Sequence, residues 1–361
     1  MIEDGKIIRV GLIGYGYAGK TFHAPLIQSI PGLKLTLVGS SKRDTVLADL
    51  PGVAVSSDME EVATHPDVDL VVIASPNESH FPLAAAALRG GKHVVVDKPF
   101  TVRLVDARSL VDLAEEQGRL LSVFHNRRWD SEVLAAKAVV ESGVLGEISH
   151  FETHIDRFRP QVRQRWREQT GPGAGLWFDL GPHLIDQAVQ LFGLPQTINA
   201  NFAVLRKGGE TDDWAHVQLN YKSLRVILHV SLLASGGVPR SVLHGTLGSW
   251  VKFGGDVQEK QLVAGMVPGS SGFGVDPNPG ILYEGATGKQ TKIPAPAVNQ
   301  ADYYLGIREA LWGRQPNPVS PSQASAVMSI LETSFESGVR GQVLSLHFTH
   351  KECAAFAASP Y

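Results

Sequence analysis

One stretch of the chain carries an acid and an imidazole at a spacing suited to proton transfer. Asp179 and His183 are four residues apart, so a helix would place both on one face, which Asp186 extends. An acid can orient an imidazole and set its tautomer, and an imidazole can accept a proton near neutral pH. Two other interpretations fit the same residues: a capping carboxylate beside a structural histidine, or a metal site with Asp179, His183 and Asp186 as ligands.

A lysine stands at the predicted end of a strand. Residues 93–96 form a short, mostly apolar run, and Asp97, Lys98 and Pro99 follow directly. In a parallel sheet the carboxyl end of a strand faces the cofactor crevice, where a lysine suits proton transfer. For Lys98 alone, an exposed lysine after a strand is the simpler alternative. Pro99 is expected to fix the turn, and a cis peptide bond is compatible with this position.

A glycine pattern near the N-terminus predicts a dinucleotide site. The GxGxxG pattern follows a strand-like run and opens a helix, the context that it requires, and it consists of Gly14, Tyr15, Gly16, Tyr17, Ala18 and Gly19. Gly14 permits a tight turn, Gly16 lets the backbone approach a pyrophosphate, and Gly19 allows close helix–strand packing. The alternative is a glycine-rich turn without a ligand.

The next predicted strand ends in hydroxyls and cations instead of an acid. A carboxylate about 20 residues after the glycines normally binds the ribose of NAD. Here the strand tip carries Ser40, Ser41, Lys42 and Arg43. A carboxylate would repel a 2′-phosphate, whereas serine and arginine hydrogen bond to it. The sequence therefore predicts NADP(H) over NAD(H), although NAD is still possible and Asp44 is close enough in sequence to reach the ribose.

The elements that position these residues alternate between strand and helix through the first third of the chain. Strands are predicted at residues 7–13, 33–38, 53–55, 70–74, 93–96 and 120–124, and helices at 20–29, 81–89 and 104–117. The run at 70–74 is continuously apolar, as expected for a strand covered on both faces. This βαβ rhythm predicts a doubly wound parallel sheet of the Rossmann type in residues 1–125.

The pattern changes after residue 125. Helices are predicted at residues 132–141, from the end of a glycine-rich breaker at 171–175 to about 192, and at 321–337, and strands at 147–155, 197–205, 216–221, 225–232 and 241–245. Pro182 is compatible with the first turn of the middle helix. Successive strands with short turns indicate an open, largely antiparallel sheet. We therefore predict an α/β protein whose second domain, residues 126–361, binds substrate and supports oligomerisation.

Composition argues against several classes of protein. The formal net charge is -3 and there is no long run of like charge, so we expect no binding to nucleic acid or to an anionic membrane. Cys353 is the only cysteine, which agrees with a reducing compartment. Residues 1–6 do not resemble a signal peptide and no apolar run approaches ~20 residues, so a cytoplasmic protein without a membrane span is expected.

Taken together, the motifs resemble those of the Gfo/Idh/MocA family of oxidoreductases. The resemblance covers nearly the whole chain and rests on residues 14–19, on Ser75, Pro76, Asn77 and His80, on residues 97–99, and on residues 171–186. It implies a Rossmann domain, a second α/β domain, a homodimer or homotetramer, and a catalytic group of Lys98, Asp179 and His183 without a metal. It also implies that residues 75–77, His80 and Asp97 lie by the cofactor. Family members usually carry Glu where this chain has Asp97.

Three further segments resemble the bacterial branch that contains scyllo-inositol dehydrogenases, several of them NADP-dependent: residues 20–26, 123–130 and 156–160. The resemblance implies hydride transfer between NADP(H) and a CH–OH group of a cyclic polyol or sugar. Carboxylates and guanidinium groups suit neighbouring hydroxyls. The expected substrate residues are Lys98, Asp156, Arg157, Trp166, Arg167, Trp177, Asp179 and His183. The alternatives are a dinucleotide-binding regulatory sensor without catalysis and an NAD-dependent glycosidase of the same family.

Overall fold

The computed structural model describes residues 2–357, which form two compact units. Unit 1 contains the chain up to Trp129 together with Gln258–Gly274 and Asn299–Ser325. Unit 2 contains Asp130–Val257, Val275–Val298 and the chain from Ala326 onward. Unit 1 thus draws on segments from both sides of residue 125, whereas unit 2 lies entirely after it. A single domain boundary at residue 125 stays a prediction.

The regular elements are numbered along the chain. The strands are β1 (Ile8–Ile13), β2 (Leu33–Gly39), β3 (Ala54–Ser56), β4 (Leu70–Ile73), β5 (His93–Asp97), β6 (Leu121–Phe124), β7 (Ile148–Asp156), β8 (Thr197–Ala203), β9 (Trp214–Asn220), β10 (Arg225–Ser231), β11 (Ser241–Gly245), β12 (Gly248–Lys252), β13 (Gly280–Glu284), β14 (Gln290–Ile293) and β15 (Leu344–Ser345). The α-helices are α1 (Ala24–Gln28), α2 (Arg43–Asp49), α3 (Met59–Thr64), α4 (His80–Arg89), α5 (Leu104–Glu116), α6 (Ser131–Glu141), α7 (Leu176–Phe192), α8 (Gln258–Val263), α9 (Ala301–Leu311), α10 (Pro321–Arg340) and α11 (His350–Ala354).

Unit 1 is built on a six-stranded parallel sheet in the order β3-β2-β1-β4-β5-β6. Every residue of β4 is buried, which is why that strand reads as an uninterrupted apolar run. This strand order is the one that binds dinucleotides at the point where the order reverses, here between β1 and β4. The predicted Rossmann-type sheet is therefore confirmed.

Unit 2 contains a nine-stranded mixed sheet in the order β14-β13-β12-β11-β7-β10-β9-β8-β15. Only the β7–β10 pair is parallel, so the sheet is mostly antiparallel, as predicted. In β9 buried and half-buried residues alternate, which indicates that one face of the sheet is covered and the other is more open. Helix α7 packs on the covered face, where Phe192 lies against Phe151 of β7 with ring centroids 5.4 Å apart.

Helix α7 begins earlier than its proline indicates. Its first residue is Leu176, so Pro182 lies inside the helix and not in the first turn, with which its sequence context was also compatible. Proline has no N–H to donate, so the carbonyl of Phe178 lacks the usual partner four residues ahead. All but two residues of this helix are buried, and burial of its apolar side chains compensates for that loss.

None of the helices within residues 2–357 is long and apolar enough to span a bilayer.

Candidate functional site

The glycine turn after β1 has one tightly packed end and one open position. Gly14 has φ +98°, and an added Cβ would lie 2.5 Å from the carbonyl oxygen of Ala74. A Cβ on Gly19 would collide with the carbonyl of Gly14, whereas one on Gly16 would meet nothing within 4 Å. Two glycines are thus required by packing, and Gly16 leaves open space beside the backbone. This cradle fits a pyrophosphate in the position that the motif requires.

The side chains of the same turn are engaged by the protein itself. The Tyr15 hydroxyl donates to Asp49 at 3.4 Å, and burial together with this carboxylate raises the pKa of Tyr15 to about 12. Tyr17 is exposed and its hydroxyl donates to Glu259 at 2.8 Å. The helix that follows includes a π-helical turn over Gly19–His23 and continues as α1. The backbone, not these side chains, is therefore the part of the turn suited to a ligand.

The tip of β2 presents cations to solvent. Ser40 is buried and its hydroxyl accepts the N–H of Lys42 at 3.1 Å. Ser41, Lys42 and Arg43 are exposed, and Arg43 donates to the carbonyl of Val55 at 2.9 Å. Asp44 lies one residue further, in the first turn of α2, and is exposed. Lys42 and Arg43 are therefore accessible cations at this tip, with the carboxylate of Asp44 beside them.

The loop after β4 is fastened to the loop after β5 by a buried histidine. The ring nitrogens of His80 lie 3.0 Å from the carbonyl oxygen of Ser75 and 2.9 Å from that of Pro99. Burial lowers the pKa of His80, although its hydrogen bonds to these carbonyls oppose the lowering, and a neutral ring can donate to only one of the two. Asn77 is also buried, and the Ser75 and Ser79 hydroxyls lie 2.6 Å apart. His80 thus sets the spacing of the two loops, and Pro76 belongs to the same turn.

Lys98 directly follows β5, and its peptide bond to Pro99 is cis. The Asp97 carboxylate accepts the N–H of Lys98 at 2.8 Å and lies 3.8 Å from Nε2 of His23. Burial acts to raise the pKa of Asp97, but His23, Lys98 and His80 favour the carboxylate and the net pKa is lowered. Asp97 is therefore an anion that orients the backbone beside Lys98.

A layer of aromatic residues beneath Asp97 was not predicted from the sequence. Nδ1 of His23 lies 2.6 Å from the hydroxyl of Tyr304 in α9, and its ring packs on Phe124 with centroids 4.2 Å apart. His23 is fully buried. His23 and Tyr304 are 281 residues apart, so no local pattern relates them.

Strand registers place these features at one edge of the sheet in unit 1. Ile13 of β1 pairs with Gly39 of β2 and with Ile73 of β4, and Ile73 pairs with Val96 of β5. Because the strands are parallel, their carboxyl ends share an edge. The glycine turn, the β2 tip, the loop at residues 75–80 and Lys98 therefore lie along the same edge, the one at which open α/β sheets bind ligands.

In unit 2, helix α7 is held at its start by a carboxylate from another segment. Gly175 precedes the helix with φ +98°, and an added Cβ would collide with the carboxylate of Asp212. Asp212 accepts the N–H of Trp177 at 2.6 Å, a capping bond on the first turn. Burial raises the pKa of Asp212 to about 6.

Asp179 and His183 lie one turn apart on α7, as predicted. Asp179 is half-buried, and Oδ1 lies 3.5 Å from Nε of Arg167. His183 and Asp186 are buried, with exposed fractions of 5% and 2%. The structure therefore brings Arg167, Asp179 and His183 to one part of unit 2.

The other expected substrate residues are less closely grouped. The guanidinium of Arg167 lies over the exposed Trp166 ring, 4.5 Å from its centroid, and the backbone of Arg157 donates to Ser231 at 2.8 Å. Trp177 is fully buried, and its indole N–H donates to Ser334 at 2.8 Å. Asp156 is the last residue of β7 and lies 3.2 Å from His154. The structure does not bring Asp156 or Trp177 to an exposed surface beside Asp179.

Comparisons with known proteins agree with this architecture. A family model described as an oxidoreductase family with an NAD-binding Rossmann fold matches residues 8–125, and a Gfo/Idh/MocA C-terminal domain model matches residues 133–251. The chain belongs to the Gfo/Idh/MocA family of oxidoreductases. The resemblance seen in the sequence motifs is thereby confirmed.

Relatives of this Gfo/Idh/MocA oxidoreductase match it over almost their whole length. The uncharacterized oxidoreductase YdgJ of Escherichia coli is 51% identical over 94% of this chain and 99% of its own. The scyllo-inositol 2-dehydrogenase (NADP(+)) IolW of Bacillus subtilis is 34% identical over 94% of this chain and 96% of its own. A crystal structure of a candidate oxidoreductase from Klebsiella pneumoniae has a TM-score of 0.92 at 52% identity, covering 98% of each chain. The Rossmann domain supports a nicotinamide dinucleotide as cofactor of this Gfo/Idh/MocA oxidoreductase.

Proposed function

We propose that this protein is an NADP(H)-dependent dehydrogenase that acts on a CH–OH group of a cyclic polyol or sugar of the scyllo-inositol type. The observation that carries the proposal is the shared edge of the parallel sheet, where an open glycine cradle, a cationic strand tip and Lys98 occur together. The name of the relative IolW, which is 34% identical, supports both the NADP preference and the substrate class.

The cofactor would be held by residues of unit 1. The backbone at Gly16 would receive the pyrophosphate, since that position is open. The accessible charges of Lys42 and Arg43 would bind a 2′-phosphate. When bound, the nicotinamide supplies the acceptor or donor of a hydride. The loops that His80 ties together would border the nicotinamide end of the cofactor.

Proton transfer is assigned to Lys98 and His183 as the acid–base groups. Asp179 would orient the imidazole one turn away and offset its charge. General acid–base groups of this kind contribute roughly 10²–10⁴-fold to rate. In this proposal Lys98, Asp179 and His183 therefore form the catalytic group.

Substrate recognition is proposed for groups near Asp179. Arg167 lies 3.5 Å from Asp179 and over the ring of Trp166, so a guanidinium and an aromatic surface adjoin the carboxylate. Guanidinium donors and carboxylate acceptors bind vicinal hydroxyls in complementary ways. Arg157 is included on sequence grounds. The buried position of Trp177 and the contacts of Asp156 favour other roles for those two residues.

The decisive experiment measures activity with NADP and with NAD on a panel of inositols and sugars. The absorbance of the reduced cofactor reports the reaction. Lys98→Ala should lower turnover by about 10²–10⁴-fold with dinucleotide binding retained. Lys137→Ala, an exposed lysine on α6, is the matched control and should behave like the wild type. Normal turnover in Lys98→Ala would refute the assignment.

Dinucleotide binding without turnover on any substrate would indicate a sensor, and sugar release without net NADP reduction would indicate a glycosidase.

A further inference from the structure

The sheet face opposite α7 carries a cluster of imidazoles and carboxylates that the proposed function does not use. His154 and Asp156 alternate along β7, and His229 lies beside His154 on the neighbouring strand β10. Thr153 points the other way, since its hydroxyl lies 3.5 Å from Gln187 of α7. The two-residue period of a strand therefore places His154 and Asp156 on the more open face.

The three side chains converge at distances suited to a metal ion. One ligand atom from each of His154, Asp156 and His229 lies within 4.8 Å of the other two. Nδ1 of His154 is 3.2 Å from Oδ2 of Asp156, and Nε2 of His229 is 3.8 Å from Oδ1. At zinc–ligand lengths of about 2.0–2.1 Å, neighbouring ligand atoms of a tetrahedral site are about 3.3 Å apart. The His154–Asp156 pair is already at this spacing, and the remaining pairs, whose ligand atoms lie within 4.8 Å, must move closer to hold the ion.

The cluster contains a buried acceptor without a donor. Oδ1 of Asp156 is shielded from solvent and accepts no hydrogen bond within residues 2–357. Nδ1 of His229 is also buried and has no hydrogen-bond partner among the described residues. A buried carboxylate oxygen is costly when it has no partner. A cation between Asp156 and the two imidazoles would satisfy it.

A second carboxylate, that of Glu152, contacts the His154 ring on the nitrogen that faces away from Asp156. Oε1 of Glu152 lies 2.8 Å from Nε2 of His154, on the side of the ring away from Asp156. A carboxylate on the outer nitrogen of a histidine is the usual support of a metal-binding imidazole, because it orients the ring. An ion bound at Nδ1 of His154 would replace the 3.2 Å contact of that nitrogen with Asp156. Glu152 and Asp156 together carry two negative charges, which balance one divalent cation.

We propose that His154, Asp156 and His229 bind one divalent transition-metal ion of the zinc class, with water at the remaining position. Imidazole and carboxylate ligands favour zinc, cobalt and nickel over magnesium and calcium, which take oxygen ligands. The three side chains are 11–16% exposed, so water can reach the ion. The site lies within the sheet of unit 2 and involves none of Lys98, Asp179 and His183.

The test is calorimetric titration of Zn²⁺ into the full-length, tag-free protein after treatment with EDTA and dialysis. One ion should bind per chain, and the ion should raise the melting temperature. Asp156→Asn keeps the side-chain size, His229→Asn replaces the ring with a smaller neutral amide, and each should weaken Zn²⁺ binding at least 10-fold. Glu152→Gln should weaken it by about 10–100-fold, as loss of an outer-shell carboxylate does. His244→Asn is the control, since His244 is exposed on β11 and bonds to Ser249.

Two results would overturn the proposal. One is the absence of heat and of a melting shift when Zn²⁺ is added to the wild-type protein. The other is binding that persists at wild-type affinity in both Asp156→Asn and His229→Asn. Melting curves of each variant in EDTA separate loss of the fold from loss of the ion.

Discussion

Replacing Asp212 with asparagine tests whether burial at the start of α7 disfavours the charged form of this carboxyl group. Burial raises the pKa of Asp212 to about 6 from an ordinary value of 3.8. The folded protein therefore binds this proton more tightly than the unfolded chain does. The stability that this proton contributes is fully present below pH 3.8 and is lost as the pH rises through about 6.

The size of the effect follows from the two pKa values. One pKa unit corresponds to about 1.4 kcal/mol, so the difference between 3.8 and about 6 corresponds to at most about 3 kcal/mol. Asparagine does not titrate and keeps an oxygen that can accept the N–H of Trp177. Relative to the wild type, Asp212→Asn should gain up to about 3 kcal/mol between pH 3.8 and pH 7.

The assay is thermal unfolding of both proteins at a series of pH values in this range. At about 2–4 °C per kcal/mol for a unit of this size, the difference in Tm should change by up to about 6–12 °C. Asp212→Ala is the companion variant, because it also removes the acceptor for Trp177 and should be about 1 kcal/mol less stable than Asp212→Asn at every pH. A Tm difference between Asp212→Asn and wild type that stays constant across the range would refute the reasoning.

Two further predictions concern the dinucleotide site. Gly14→Ala should unfold unit 1 or strongly lower its Tm, because the residue has φ +98° and its Cβ would approach Ala74, whereas Gly16→Ala should keep the wild-type Tm and weaken dinucleotide binding. Circular dichroism and fluorescence titration measure the two effects, and equal losses of Tm in both variants would contradict this reading. Arg43→Ala should lower kcat/KM for NADP(H) by about 10–100-fold, the value of a charge-assisted hydrogen bond, with little change for NAD(H). A parallel loss with both cofactors would show that Arg43 does not distinguish them.

Local patterns were sufficient to predict the sheet of unit 1. The apolar run of β4 and the glycine turn after β1 each depend on the immediate surroundings of their own residues. The strand and the turn can therefore be predicted without knowledge of the rest of the fold. The spacing of Asp179 and His183 is local in the same sense, because both residues belong to one helix.

Long-range pairing accounts for what the sequence did not predict. Tyr304 reaches His23 across 281 residues, and β14 is largely exposed and polar, so neither produces a periodic apolar signal. The assignment of Asp156 to the substrate relied on its neighbours in sequence. The alternation of His154 and Asp156 along β7 was visible, but the partner His229 depends on the register with β10, which no local pattern specifies.

The segmented make-up of unit 1 has a consequence for the order in which the protein can mature. The last strand of its sheet is completed by late residues: Ser122 donates to the carbonyl of Val319 at 2.9 Å, and Tyr303 packs edge-on against Phe124. During synthesis the ribosome must deliver residues 303–319 before this strand acquires these contacts. Until then Phe124 has its neighbour His23 but lacks the tyrosine layer, so β6 is made long before its surroundings are complete.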